Sequence, residues 1–241
     1  MHWVILIALG VLGLVVALNL LVRKVEKART EALRQASVAL GLAFEGEGNA
    51  GQIKGLADHF QRGGSRHVWN VMSGRAGTDA VKVFDYQYTV GSGKQSQTWK
   101  QTVALYPGGP GLPDFVLAAA LVGVPPIAAA SGTATPGGIR QPSAIEATLH
   151  KLMDAMGGPD IDFDSNPIFS ARYALWGPDE AAIRAAFTPE IREFFEQEPG
   201  WTVEVQAGNV GIYRAGRRVK PAELATFLEQ SRAVLRAFSR P

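Results

Sequence analysis

The chain has 241 residues, of which 46% are hydrophobic and 19% charged, a balance that excludes a wholly disordered polypeptide. It contains no cysteine, which excludes a disulfide framework, a thiolate zinc site and a cysteine nucleophile. The formal charge of +2 is unevenly spread, because residues 1–41 hold five basic and two acidic side chains and the remainder holds 19 basic and 20 acidic; a nucleic-acid partner, which needs a basic face on the folded part, is not expected.

The run Trp3–Val22 is 20 residues long with one strongly polar member, Asn19. As a helix it spans about 30 Å, the hydrocarbon thickness of a bilayer. It lacks the basic start and small-residue cleavage site of a secretory signal peptide, so residues 1–22 are expected to be an uncleaved transmembrane anchor. Arg23, Lys24, Lys27 and Arg29 follow the run and no Lys or Arg precedes it. By the positive-inside rule this predicts a single-pass protein of the inner or plasma membrane, with its N-terminus outside and its C-terminal body cytoplasmic. Trp3 and the four basic residues form the expected membrane-flanking set, and residues 3–22 the contact with the lipid bilayer.

Residues 23–41 are rich in Ala, Leu, Glu, Lys, Arg and Gln and read as a basic juxtamembrane helix capped at Gly41. Residues 42–241 read as one cytoplasmic α+β domain. A helix is expected after Asn49. Period-two patterns then give strands at His67–Met72, Val81–Val90 and Gln97–Tyr106, in an antiparallel meander with turns at Ser73–Gly77 and Gly91–Lys94. A Gly/Pro/Ala-rich loop is expected over 107–142. Within it, the apolar stretch from Phe115 to Ile127 is too short to cross a bilayer; it reads as one buried strand or helix, or as a loop dipping into the membrane interface.

Ser143 with Glu146 forms a capping box for a helix that Gly157-Gly158-Pro159 stops. Ile168–Trp176 reads as a strand. Helices follow at Gly177-Pro178-Asp179-Glu180 and Thr188-Pro189-Glu190, then a hairpin of Trp201–Gln206 with Val210–Arg214. The last helix opens at Pro221 and carries Leu224, Phe227, Leu228, Leu235 and Phe238 on one face. Strands in hairpins with interspersed helices point to α+β rather than alternating β–α–β. A meander closed by a C-terminal helix also suggests a pleckstrin-homology-like layout.

No catalytic constellation emerges. Gly91-Ser92-Gly93-Lys94 lacks the spacing and the hydroxyl residue of a phosphate loop and joins two strands, so it reads as a hairpin turn. Asp160, Asp162 and Asp164 space their oxygens like the start of a calcium loop, but the loop's glycine and bidentate glutamate positions hold Ser165 and Ala171. These three aspartates are the weak metal candidates. Asp85, between Phe84 and Tyr86, is expected to hydrogen-bond across the sheet or to backbone. Arg214, Arg217, Arg218 and Lys220 form a basic knot beside the last helix, either a solvated turn or a surface facing anionic lipid.

The N-terminal span, Val83-Phe84-Asp85-Tyr86 with Tyr88, Gly91-Ser92-Gly93-Lys94, Gln101-Thr102-Val103, Asp162-Phe163 and Asn166-Pro167 together resemble an uncharacterised family of bacterial single-pass membrane proteins. That resemblance covers most of the chain and brings no catalytic residues with it. The expected function is a non-catalytic binding or scaffolding module at the cytoplasmic membrane face. No cofactor is expected, and a protein or lipid headgroups would be the partner. The alternative is a metal-dependent, membrane-associated enzyme using Asp160, Asp162 and Asp164.

Overall fold

The structure, a computed structural model, describes residues 2–48, 64–90, 96–119 and 160–239. The expected helices after Asn49 and Ser143, the Gly91–Lys94 turn and most of the 107–142 loop lie outside these residues.

The described residues form an α+β fold around one eight-stranded antiparallel sheet in the order β1-β2-β3-β4-β8-β7-β5-β6. Its strands are β1 (Ala43–Glu47), β2 (Gly64–Ala76), β3 (Asp79–Val90), β4 (Gln97–Tyr106), β5 (Phe115–Ala119), β6 (Tyr173–Trp176), β7 (Thr202–Gln206) and β8 (Asn209–Tyr213). The helices are α1 (His2–Ala39), α2 (Pro167–Arg172), α3 (Glu180–Ala186), α4 (Pro189–Gln197) and α5 (Leu224–Ala237). The β2–β3–β4 meander and the β7–β8 hairpin are present. The apolar stretch from Phe115 begins as β5, which pairs with β6 and β7.

Two elements differ from expectation. Ser73–Gly77 was expected as a turn, but β2 continues to Ala76 because Arg75 and Ala76 pair with Ala80 and Asp79. Ile168–Trp176 was expected as one strand, but Pro167 at the first turn starts helix α2 and β6 begins only at Tyr173. Phe169 of α2 is buried against the rings of Phe163, Tyr173, Phe187 and Phe195, and this aromatic packing outweighs its strand propensity.

The larger core lies where α5 and the C-terminal part of α1 meet the sheet. Leu33 and Leu42 from the α1 side, Val81 and Val83 of β3, and Leu224, Phe227, Leu228, Leu235 and Phe238 of the last helix are all buried in it. The opposite face of β3, β4 and β8 buries Phe84, Tyr86, Val103, Leu105 and Tyr213 in a second cluster. β3 therefore carries buried apolar residues on both faces, Val81 and Val83 on one and Phe84 and Tyr86 on the other.

The transmembrane anchor expected over residues 1–22 is corrected by the structure. Among the described residues, no helix is long and apolar enough to cross a membrane. The single-pass inner- or plasma-membrane localisation, with its outside N-terminus and cytoplasmic body, loses its basis with the span. The basic flank that suggested the orientation is not wholly turned to lipid either. Trp3–Val22 and the basic segment belong to one unbroken helix, His2–Ala39. Arg29, read from sequence as a lipid-facing cation, is instead directed into the protein and binds the buried Asp85. Leu12, Leu14, Leu18 and Leu21 are exposed along the same helix.

Candidate functional site: a guanidinium-edged cavity

The site begins with a carboxylate that the sheet cannot solvate. Asp85 is fully buried on β3, and burying an ionised carboxylate requires a charge partner and several hydrogen bonds. Arg29 supplies two donors, Nε to Oδ2 and Nη2 to Oδ1, each at 2.9 Å. Asn70 Nδ2 donates at 3.0 Å and Thr102 Oγ1, on the adjacent strand, at 2.6 Å. The expected cross-sheet bonding of Asp85 is therefore present.

The same cluster fixes the loop after β8. Thr102 Oγ1 accepts from Val219 N at 2.9 Å, and Arg29 Nη1 donates to the Val219 carbonyl at 2.8 Å. Thr102 N donates to the Arg217 carbonyl at 3.1 Å, and Gly216 N donates to Gln101 Oε1 at 3.3 Å. Arg218 reaches Glu26 of α1 at 2.7 Å, and this guanidinium holds the Glu26 carboxyl below its ordinary range. Residues 214–219 are thus tied to β4 on one side and to α1 on the other.

Against this loop lies a cavity of about 240 Å³. Val219 and Phe227 give it an apolar surface, Thr226 and Gln230 a polar wall, and Arg214, Arg217 and Glu223 its charged groups. Arg217 and Lys220 share the Glu223 carboxylate at 3.8 and 3.2 Å, and the Lys220 hydrogen bond is the first cause that holds the Glu223 carboxyl below its ordinary range. Arg214 is placed differently. Its guanidinium lies over the Trp201 ring, 4.2 Å from the centroid, and Nη1 donates to the Pro199 carbonyl at 2.7 Å. Among the described residues it meets no carboxylate within ion-pairing distance. Burial, then the like charge of Arg217, pushes its proton affinity down, against weaker attraction from Tyr173 and Glu198. Arg214 is therefore a partly desolvated cation that an incoming anion would stabilise.

The basic knot read from sequence thus divides into three roles. Arg218 ties α1 to the loop, Lys220 and Arg217 hold Glu223, and Arg214 leans on Trp201. Of the expected membrane-flanking set, Trp3, Arg23, Lys24 and Lys27 are exposed and Arg29 is bound to Asp85. Asp160 Oδ1 accepts from Leu175 N at 2.8 Å, and burial raises its carboxyl to about 6. Asp162 and Asp164 are exposed. The Asp162 backbone carbonyl accepts from Arg184 at 2.7 Å. Among the described residues, no group of three or more histidine, aspartate or glutamate side chains is arranged to hold a metal ion.

One buried group carried no sequence signal strong enough to single it out. Glu204, in the β7–β8 hairpin, is fully buried and accepts a hydrogen bond from the Tyr213 hydroxyl. Burial raises its carboxyl well above the ordinary range. Thr202 and Gln206, two positions to either side on the strand, each bury a side-chain oxygen without a hydrogen-bond partner. A polar residue at every second position reads in a sequence as the wet face of a strand; here that face is inside.

No protein-family model matches the chain, and no curated protein matches it. Among solved structures, it is similar to the crystal structure of the mycobacterial trehalose monomycolate transport factor A, TtfA, at 12% identity with a TM-score of 0.48, over 87% of this chain and 92% of that one.

Proposed function

We propose that this protein is a non-catalytic binding module that engages a protein partner through the face bearing the Arg214–Arg217 cavity. The observation that carries the reading is the contrast between Arg214 and the paired charges that fix its loop. Asp85, Arg29, Glu26 and Arg218 are taken up in bonds that hold the fold together, whereas Arg214 lines a cavity whose one carboxylate, Glu223, is paired with Arg217 and Lys220. The exposed leucines of α1 add apolar surface of the kind that interaction proteins keep. We also read the β2–β3–β4 meander with the closing helix α5 as pleckstrin-homology-like in layout.

The metal-dependent reading of Asp160, Asp162 and Asp164 draws no support from their geometry. Asp160 is occupied by a backbone donor, and burial favours its neutral form.

The test is in-cell photo-cross-linking of the full chain. A photo-reactive amino acid replacing Gln230, which lines the cavity, should give a discrete adduct with one protein. The same group replacing Glu193, on α4, should not. Equal adducts from both positions, or none from either, would sink the proposal.

A further inference from the structure

The cavity has a size and a charge that narrow what can enter it. Its volume of about 240 Å³ lies below the roughly 300–1,000 Å³ of sites that enclose a small-molecule ligand. It suits one side chain presented by a larger body. Glu223 already answers Arg217 and Lys220, so the cation left without a carboxylate is Arg214. One unmatched guanidinium suits a monoanion better than a dianionic phosphate group. The apolar surface of Phe227 and Val219 suits a short hydrocarbon stem behind that charge.

From this we infer that the cavity is an acceptor for a glutamate side chain of the partner, with Arg214 as its principal anchor. The inference rests on the binding-module reading and adds the chemistry that would be recognised. The carboxylate takes charge-assisted hydrogen bonds from Arg214. Thr226 and Gln230 offer neutral donors on the wall, and the two methylenes lie on Phe227.

Arg214 is prepared for this role before any partner arrives. Its plane is held on Trp201 and its Nη1 on the Pro199 carbonyl, and its loop is pinned to β4 through Thr102 and Gln101. Little ordering remains to be done on binding, which removes one of the main costs of association. Arg217 has a different role. Its side chain is 62% exposed, and it adds attraction at the mouth of the cavity.

The test is an NMR titration of the full chain with N-acetyl-glutamate N-methylamide at constant ionic strength, following the Arg214 Nε–H and Trp201 indole N–H signals. Both should shift saturably. The glutamine analogue and inorganic phosphate should leave them in place. Arg214→Gln should weaken glutamate binding by tenfold or more. Because that substitution also removes a contact with Trp201, Arg217→Gln serves as the second variant; it should weaken binding several-fold with an unchanged melting temperature. Absence of saturation, an equal response to phosphate, or full affinity in Arg214→Gln would overturn the inference. The cross-link from position 230 is read separately. If that adduct persists while glutamate binding is absent, the carboxylate inference falls and the binding-module reading stands.

Discussion

Arg29 of the long N-terminal helix grips Asp85, 56 residues away in sequence, with two parallel hydrogen bonds of 2.9 Å in the middle of the sheet. The pair is deeply placed, at 12% and 0% side-chain exposure. Removing one partner leaves the other charge buried without compensation, which costs about 3–5 kcal/mol. Arg29→Met should therefore lower the urea midpoint sharply. Arg29→Met with Asp85→Asn should cost clearly less than the sum of the two single changes, since the orphaned charge is then absent. Additive losses in the four denaturation curves would show that the pair is not coupled.

Glu204 makes stability depend on pH in the opposite sense to an ordinary ion-paired carboxylate. Its carboxyl is raised in the folded protein by burial, so the folded chain binds a proton that the unfolded chain releases. The stabilisation is fully present below the unfolded value and is lost as pH rises toward the folded one. Glu204→Gln keeps the shape and an acceptor for the Tyr213 hydroxyl but cannot ionise. Stability measured from about pH 4 upward, starting near the unfolded glutamate value, should fall more steeply in the parent than in the variant. Parallel curves would refute this.

Asp160 adds a second, narrower window of the same sign. Its carboxyl is raised to about 6, first by burial, with the Leu175 N–H pulling the other way. Stability should decline between about pH 4, near the unfolded aspartate value, and about 6. Asp160→Asn should remove that part of the slope and leave the Glu204 part. A calcium or magnesium titration of the parent offers a second readout. No gain in melting temperature with either ion is expected, and a gain lost in the asparagine variant would revive a metal role for this residue.

The elements that could be read from sequence are those whose signal is local. The last helix places Leu224, Phe227, Leu228, Leu235 and Phe238 inside, as their spacing predicts. Helix α3 starts where Asp179 caps it, its side chain accepting from Ala182 N. What could not be read depends on distant partners. Arg29 follows an apolar run and adjoins other cations, and nothing nearby in sequence announces Asp85. Tyr173–Trp176 is a strand and Pro167–Arg172 a helix although the two adjoin. The buried ring cluster around Phe169 decides the matter, and two of its members come from residues 187 and 195. Arg214 stood out only as one of four basic residues in a turn. Its separation from the other three follows from Trp201 beneath it, 13 residues earlier on the neighbouring strand's approach.

Gly200 is where backbone geometry and the proposed site meet, and it gives the sharpest single-residue test. Its φ is +89°, a conformation that L side chains rarely adopt, and a Cβ there would lie 2.9 Å from Arg214 Nη1. Gly200→Ala therefore meets two independent obstacles. The backbone must accept a positive φ with a side chain attached, at about 1–2 kcal/mol. The guanidinium must also move off the Pro199 carbonyl that holds it. The expected result is a modest loss of stability with a larger loss of glutamate binding, because the anchor is displaced while the sheet beneath it is not. Arg217→Gln serves as the contrast, with weaker binding and unchanged stability. If Gly200→Ala loses stability as expected yet binds N-acetyl-glutamate N-methylamide as well as the parent, the position of Arg214 on Trp201 is not what makes the cavity an acceptor.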